Sequence, residues 1–236
     1  MSEVPGLVTL TVWGVPPVAV PLAVTRMAVD RLHLRRTPGL RFAKLLGTGD
    51  GRTFTPRDAD PLHWGLLAVW DSPAHARAFG RSRGERAWNR LSRERLDVEM
   101  TPIASRGSWS GRTPFGDPAP HRRAADAPVA ALTRARIRAA KTRTFWRAVP
   151  PVSADLNGVD GLAMALGIGE APLGLQGTFS LWRSGAAITE FAHRRAAHQE
   201  AVARTATEDW YAEELFARFE VLAVRGTFRG LEPLGG

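Results

Sequence analysis

His198 is the residue of this chain whose type and spacing point most directly to chemistry. On a helix of about 3.6 residues per turn, Ile188, Phe191, Arg195, His198 and Val202 recur at alternating intervals of three and four. They share one stripe, and it is the apolar one, so the imidazole points inward with Arg194 and Arg195 one turn before it. His193 falls instead among Glu190, Ala197, Glu200 and Arg204, on the solvent side. Two readings of an inward histidine stay open: a core residue satisfied by a buried partner, or an axial ligand for a metal ion or heme, since neutral imidazole is the commonest protein donor to such ions. His63, beside Trp64 at the mouth of an apolar strand, is the second histidine that could serve a site; otherwise it is a strand-end residue. His33, His75 and His121 read as exposed. Among eight tryptophans, Trp64, Trp146 and Trp210 can wall an apolar ligand cavity or serve as plain core.

Composition narrows the classes these residues can serve. A chain of 236 residues with 44% hydrophobic and 23% charged content builds one large domain or two small ones. The absence of cysteine excludes disulfides, thiolate nucleophiles, iron–sulfur clusters and zinc ribbons. No apolar run approaches the roughly 18 residues of a membrane span, and residues 1–17 lack the pattern of a signal peptide. A cytoplasmic protein is expected. The net charge of +9 invites a nucleic-acid reading, but the arginines are dispersed and no basic run alternates with aromatics, so no nucleic-acid partner is expected. A positive surface instead suits anionic membranes, by peripheral contact, acidic substrates or the carboxylates of a bound cofactor.

The elements that must position His198 follow from periodicity and breakers. Residues 7–13 alternate as a strand; 22–34 read as a helix with Val24, Met27, Ala28 and Leu32 on one face. Strands at 40–46 and 64–70 flank a glycine-rich loop. Asp71-Ser72-Pro73 opens a helix through Phe79 towards Leu91, and 96–104 alternates again before the RGSW at 106–109. The same order returns: strand 129–137, helix 141–149, strands 162–166 and 177–182, the helix bearing His198, and a final strand ending in the RGTF at 225–228. The GTGDG at 47–51 lies between strands rather than before a helix, so it reads as a turn and not a phosphate loop.

Residues 67–79 (LAVWDSPAHARAF) align without gaps on 179–191 (FSLWRSGAAITEF), LLGTG at 45–49 on ALGIG at 165–169, and RGSW on RGTF. The chain is read as α+β: a tandem duplication of a ferredoxin-like βαββαβ unit, its two sheets packed as an α+β barrel within one chain. Expected boundaries are 1–109 for the first repeat, 110–128 for a Pro/Gly-rich linker, 129–228 for the second repeat and 229–236 for a disordered tail. Exposed sheet edges would favour a homodimer. The repeat breaks where chemistry would sit. Arg86 stands opposite His198, and the second half carries seven more residues between its helix and RGTF. This asymmetry favours the ligand reading of His198.

FAKLLGTGDGRTFTP with WGLLAVW at 42–70, PVAALTRARI, FW and PPVS within 128–153, GIGE with TFSLW, and His198 followed by DWYAEELFARF and RGTF together resemble the spheroidene monooxygenase family of acyclic carotenoid ketolases. The first helix, the linker and the histidine at 63 match poorly. The resemblance implies a heme b oxygenase that inserts oxygen into a hydrophobic, carotenoid-like substrate, using O2 or peroxide and an electron-donor protein. On the similar barrels of aldoxime dehydratases, DyP-type peroxidases and chlorite dismutases a histidine of the second half binds iron, which favours His198 as axial ligand. Arg194, Arg195 and Arg218 would then meet the propionates, Trp210 would border the cofactor, and Glu213 or Glu214 would orient the ligand histidine. Peroxidase or dehydratase chemistry, a cofactor-free monooxygenase and a nonenzymatic binder are the alternatives on the same fold.

Overall fold

A computed structural model gives the fold and describes residues 3–49, 58–119, 126–138, 159–170, 177–194 and 211–235. The first half runs β1 (Leu7–Gly14), α1 (Val20–Leu34), β2 (Leu40–Gly49), β3 (Ala59–Trp70), α2 (Pro73–Phe79), α3 (Arg83–Leu91) and β4 (Glu94–Gly107). The second runs β5 (Val129–Ile137), β6 (Leu162–Gly169), β7 (Gly177–Trp182), α4 (Gly185–Arg194) and β8 (Tyr211–Gly226). The helix expected from Pro73 to Leu91 is two helices: the chain turns at Gly80, and Ser82 caps α3 by accepting from the Glu85 amide at 3.1 Å. The helix expected at 141–149 lies outside the described residues.

Each half is antiparallel with the order of a ferredoxin-like sheet, β4-β1-β3-β2 and β6-β7-β5-β8. The halves join along both edges into one closed eight-stranded barrel. At one seam the duplicated glycine segments pair with each other, Gly47 opposite Gly169 and Gly49 opposite Gly167. At the other, β4 and β8 pair from Leu96/Gly226 to Gly107/Leu215. Closure takes up the wholly free edges on which a homodimer was expected, β4 pairing with β8 along its length and β2 with β6 over Gly47–Gly49.

Alternation along the strands sends one set of side chains into the barrel and the other outward. Val8, Leu10 and Val12, Leu96, Val98 and Met100, and Leu215, Ala217 and Phe219 belong to the packed interior. Among the described residues the barrel interior is filled by packed side chains. Outward, the first half is covered by α1 and α3 over Trp13, Trp64, Trp70 and Trp88, with Trp13 and Trp88 stacked at 5.0 Å. The second half carries α4, whose Ile188 and Phe191 pack on Val129 and Trp182.

The inward face of α1 differs from expectation. Ala23, Met27 and Asp30 are buried, whereas Val24, Ala28 and Leu32 are exposed. A large indole fills the space below: Trp88 donates to Asp30 at 2.9 Å, and Arg26 pairs with the same carboxylate at 2.8 Å. Small and polar residues suit that side. The tail is also ordered, against expectation: Phe228 and Leu231 form a β-bridge, and Phe228 and Leu234 pack on the barrel core.

Candidate functional site

After β4 and after β8 the chain makes the same hook. RGSWSG at 106–111 and RGTFRG at 225–230 share positive φ at Gly107 and Gly226, at Ser110 and Arg229, and at Gly111 and Gly230. Each hook lays an aromatic residue over one end of the barrel, Trp109 with Phe115 at one and Phe228 with Leu234 at the other. The stretch expected to begin a linker thus begins as a plug.

A carboxylate from the opposite half fastens each hook. Glu213 Oε1 accepts from Ser108 Oγ at 3.1 Å and from the Gly111 amide at 2.8 Å. Glu94 Oε1 accepts from Thr227 Oγ1 at 2.9 Å and from the Gly230 amide at 2.6 Å. The second oxygens differ in partner. Glu213 Oε2 takes a guanidinium hydrogen bond from buried Arg134, while Glu94 Oε2 lies 3.1 Å from His63 Nε2. Behind Arg134 stands Glu170 at 3.1 Å, itself held by Trp109 Nε1 at 2.7 Å and Lys44 Nζ at 2.5 Å. Behind His63 stands Asp60, 2.8 Å from Nδ1 and 2.7 Å from Arg229.

These environments set the charges. Burial pushes the Glu213 carboxyl up, but the Gly111 amide and Arg134 outweigh it and bring its pKa down to about 2. Burial pulls the His63 imidazole down, and its hydrogen bonds with Asp60 and Glu94 overcome that and raise it. Asp60 is held well below the usual carboxylate range by His63 and Arg229 against its own burial.

Both ring nitrogens of His63 are engaged by carboxylates, so the imidazole has no free lone pair for a metal, and its work is to clamp a hook. Among the described residues no group of His, Asp and Glu is arranged to hold a metal ion. Glu213, expected to orient a ligand histidine, is instead spent on Arg134 and the first hook. Trp64 is not a cavity wall: it is buried in the first-half cluster and donates to the Pro61 carbonyl at 2.9 Å.

The outward face of the second half beside α4 carries the opening residues of the His198 stripe. Ile188 and Phe191, the first two members of the His198 stripe, are buried there as expected. Arg218 is exposed on the outward face of β8, opposite Ala131 of β5. Arg194 ends α4. Arg195, His198, Trp146 and Trp210 lie outside the described residues.

No family model matches the chain. It is 35% identical over 222 residues to the spheroidene monooxygenase of Rhodobacter capsulatus, spanning 92% of this chain and 90% of that one. To the spheroidene monooxygenase of Rubrivivax gelatinosus it is 41% identical over 195 residues, spanning 82% and 73%. Among solved structures it superposes on an aldoxime dehydratase in complex with butyraldoxime with a TM-score of 0.62 at 12% identity, covering 97% of this chain and 84% of that one. That likeness shows the shared fold, the α+β barrel of two ferredoxin-like halves. The long matches at a third identity or more show the family: the chain belongs to the spheroidene monooxygenases.

Proposed function

We propose that this protein is a heme b-dependent monooxygenase that inserts oxygen into a carotenoid or similarly hydrophobic substrate. Family membership supports the oxygenase chemistry. The observation that carries the placement of the site is an inequality of the two outward faces among the described residues: the first is covered by tryptophans and three helices, while on the second α4 lies beside a sheet face with Ala131 half-buried and Thr133 and Arg218 exposed.

The donor chemistry there fits a porphyrin. Small side chains in register across the face, Ala131, Ser180 and Ala165, suit its ring, and exposed Arg218 supplies a guanidinium group matched to its carboxylates, with Arg194 and Arg195 proposed to join it. His198, which the sequence places on the stripe that Ile188 and Phe191 begin, is the proposed ligand to its iron. Bound heme would supply activation of O2, one atom going to the substrate and the other to water, with two electrons and two protons from a donor protein. The chain's part is to fix the iron, to keep the carboxylates paired and to exclude water from the substrate with apolar walls.

An absorption spectrum of protein produced with heme precursor, followed by hemin titration of wild type and His198→Ala, tests the reading. A Soret band in wild type that the variant fails to develop is expected. A variant that binds hemin as tightly as wild type overturns the ligand assignment. A colourless wild type that still oxygenates carotenoid overturns heme dependence.

A further inference from the structure

α1 exposes an apolar face that no described residue covers. Leu22 is 53% exposed, Val29 47% and Leu32 65%, and Val18, in the 3-10 turn that leads into the helix, is 87% exposed. With Thr25 they lie at intervals of four, three, four and three, a single stripe along the outer side of the helix. Pro21, Val24 and Ala28 widen it on one flank. Single exposed apolar residues are ordinary on a protein surface, but a continuous stripe along a whole helix is not. The same outward side carries Arg31, Arg35 and Arg36 and no carboxylate; Asp30, the one acidic residue of α1, is turned inward onto Arg26 and Trp88.

A groove of about 620 Å³ opens beside α1, lined by Arg31, Arg35, Arg41, Lys44 and Arg112 together with Glu170. Among the described residues its lining acid, Glu170, pairs with Lys44, and Asp71 and Glu3, outside the lining, pair with Arg41. Arg31 and Arg112 face carbonyl oxygens, of Glu170 and Arg41, rather than carboxylates. The surplus charge is positive and sits beside the apolar stripe.

We propose that α1 lies in the surface of an anionic lipid bilayer, its apolar stripe at the boundary between headgroups and acyl chains and its arginine groove on the headgroup phosphates. An apolar stripe bordered by arginine and free of carboxylate is what interfacial helices present, and a chain of net charge +9 adds attraction to an anionic leaflet. Fifteen residues make α1 about 22 Å long, which is too short to span the bilayer and long enough to lie on it. The purpose of such docking, access to a carotenoid dissolved in the membrane, rests on the proposed substrate; the docking itself does not.

Sedimentation of the full chain with vesicles tests it, using phosphatidylcholine alone and three parts phosphatidylcholine to one part phosphatidylglycerol. Wild type should partition onto the phosphatidylglycerol vesicles at least about tenfold more, an excess that salt removes. The combined variant Leu22→Gln, Val29→Gln, Leu32→Gln should lose binding by about tenfold while its circular dichroism and melting stay those of wild type, since these side chains pack on nothing in the core. Arg35→Gln with Arg36→Gln should lose chiefly the preference for phosphatidylglycerol. Wild type that stays in solution with anionic vesicles, or a triple variant that sediments as wild type does, overturns the proposal. So does a triple variant that only converts a dimer to a monomer by light scattering, since the face would then belong to a second copy. Turnover of detergent-dispersed carotenoid tells the readings apart: its absence from every variant and wild type sinks the substrate and leaves vesicle binding standing.

Discussion

Glu94 and Glu213 occupy the same place in the two halves, thirteen residues before Gly107 and Gly226 respectively, and each fastens the hook that ends the other half. The cation placed against them differs. At the Glu213 end it is Arg134, from β5 in the barrel wall, permanently charged and buried. At the Glu94 end it is His63, from the start of β3, whose charge depends on pH. Duplication has kept the hook and its carboxylate and has solved the neutralisation of that carboxylate twice, with different chemistry. A fold can thus conserve a job while changing the residue and even the strand that performs it.

The plugs differ in depth, and the largest effect should appear there. Trp109 is fully buried, packs edge-on against Phe42 at 5.6 Å and donates to Glu170. Phe228 sits nearer the surface, against the His63 ring at 5.1 Å. Trp109→Ala should cost about 4 kcal/mol and Phe228→Ala about 3 kcal/mol of unfolding free energy, read from urea transitions. Equal costs, or a larger one for Phe228→Ala, would break the ranking of the two ends.

Much of this barrel was legible in the sequence because strand alternation reports burial directly: the bounds expected for β5 and β7 are those observed, and Val8, Leu10 and Val12 point inward as period two requires. The face of α1 was misread because apolar residues surround that helix, and only the position of Trp88 beneath it shows why Asp30 rather than Leu32 is inside. The clamps were not legible at all. His63 and Glu94 are 31 residues apart and Arg134 and Glu213 are 79 apart, and nothing local ties them together before the barrel closes. One signal was available: the repeat does not stop at RGSW and RGTF but continues through Gly111 and Gly230 to Phe115 and Leu234, which marks the supposed linker and tail as copies of one structural element. The stripe alone placed His198 inward and left it a core residue or a ligand; the ligand reading came from the broken repeat and the family resemblance, and His198 lies outside the described residues.

The difference between the clamps sets an asymmetric response to pH. The folded pKa of His63 is raised by Asp60 and Glu94, so the stabilisation it gives is complete below its unfolded value near 6.5 and is lost as pH rises through the folded value. Arg134 keeps its charge throughout. On the acid side the ends act alike, because Glu94 and Glu213 are both held below the ordinary carboxylate value and both lose their contribution as pH falls. His63→Gln should therefore cost about 2 kcal/mol at pH 6, the worth of charge-assisted hydrogen bonds, and progressively less in alkaline buffer, while wild type loosens at the second hook alone. Hydrogen exchange at the amides of Thr227 and Gly230 against those of Ser108 and Gly111 separates the ends. Parallel alkaline loosening of both hooks would show that His63 is not the titrating group.

The smallest effect tests whether the hooks themselves are equivalent once their cations are set aside. Gly111 and Gly230 have φ of +68° and +75°, and no atom lies within 4 Å of where a Cβ would stand on either. An alanine there meets no neighbour, so its cost is the left-handed backbone alone, about 1 kcal/mol at each site. Both amides would still reach their carboxylates, Glu213 and Glu94. Gly111→Ala and Gly230→Ala should therefore lower stability by the same amount within error, in thermal melts at a pH where His63 is charged. A clear difference between them would mean that the hooks differ in backbone tension as well as in neutralising partner, and the comparison of arginine with histidine would no longer account for the asymmetry of the two ends.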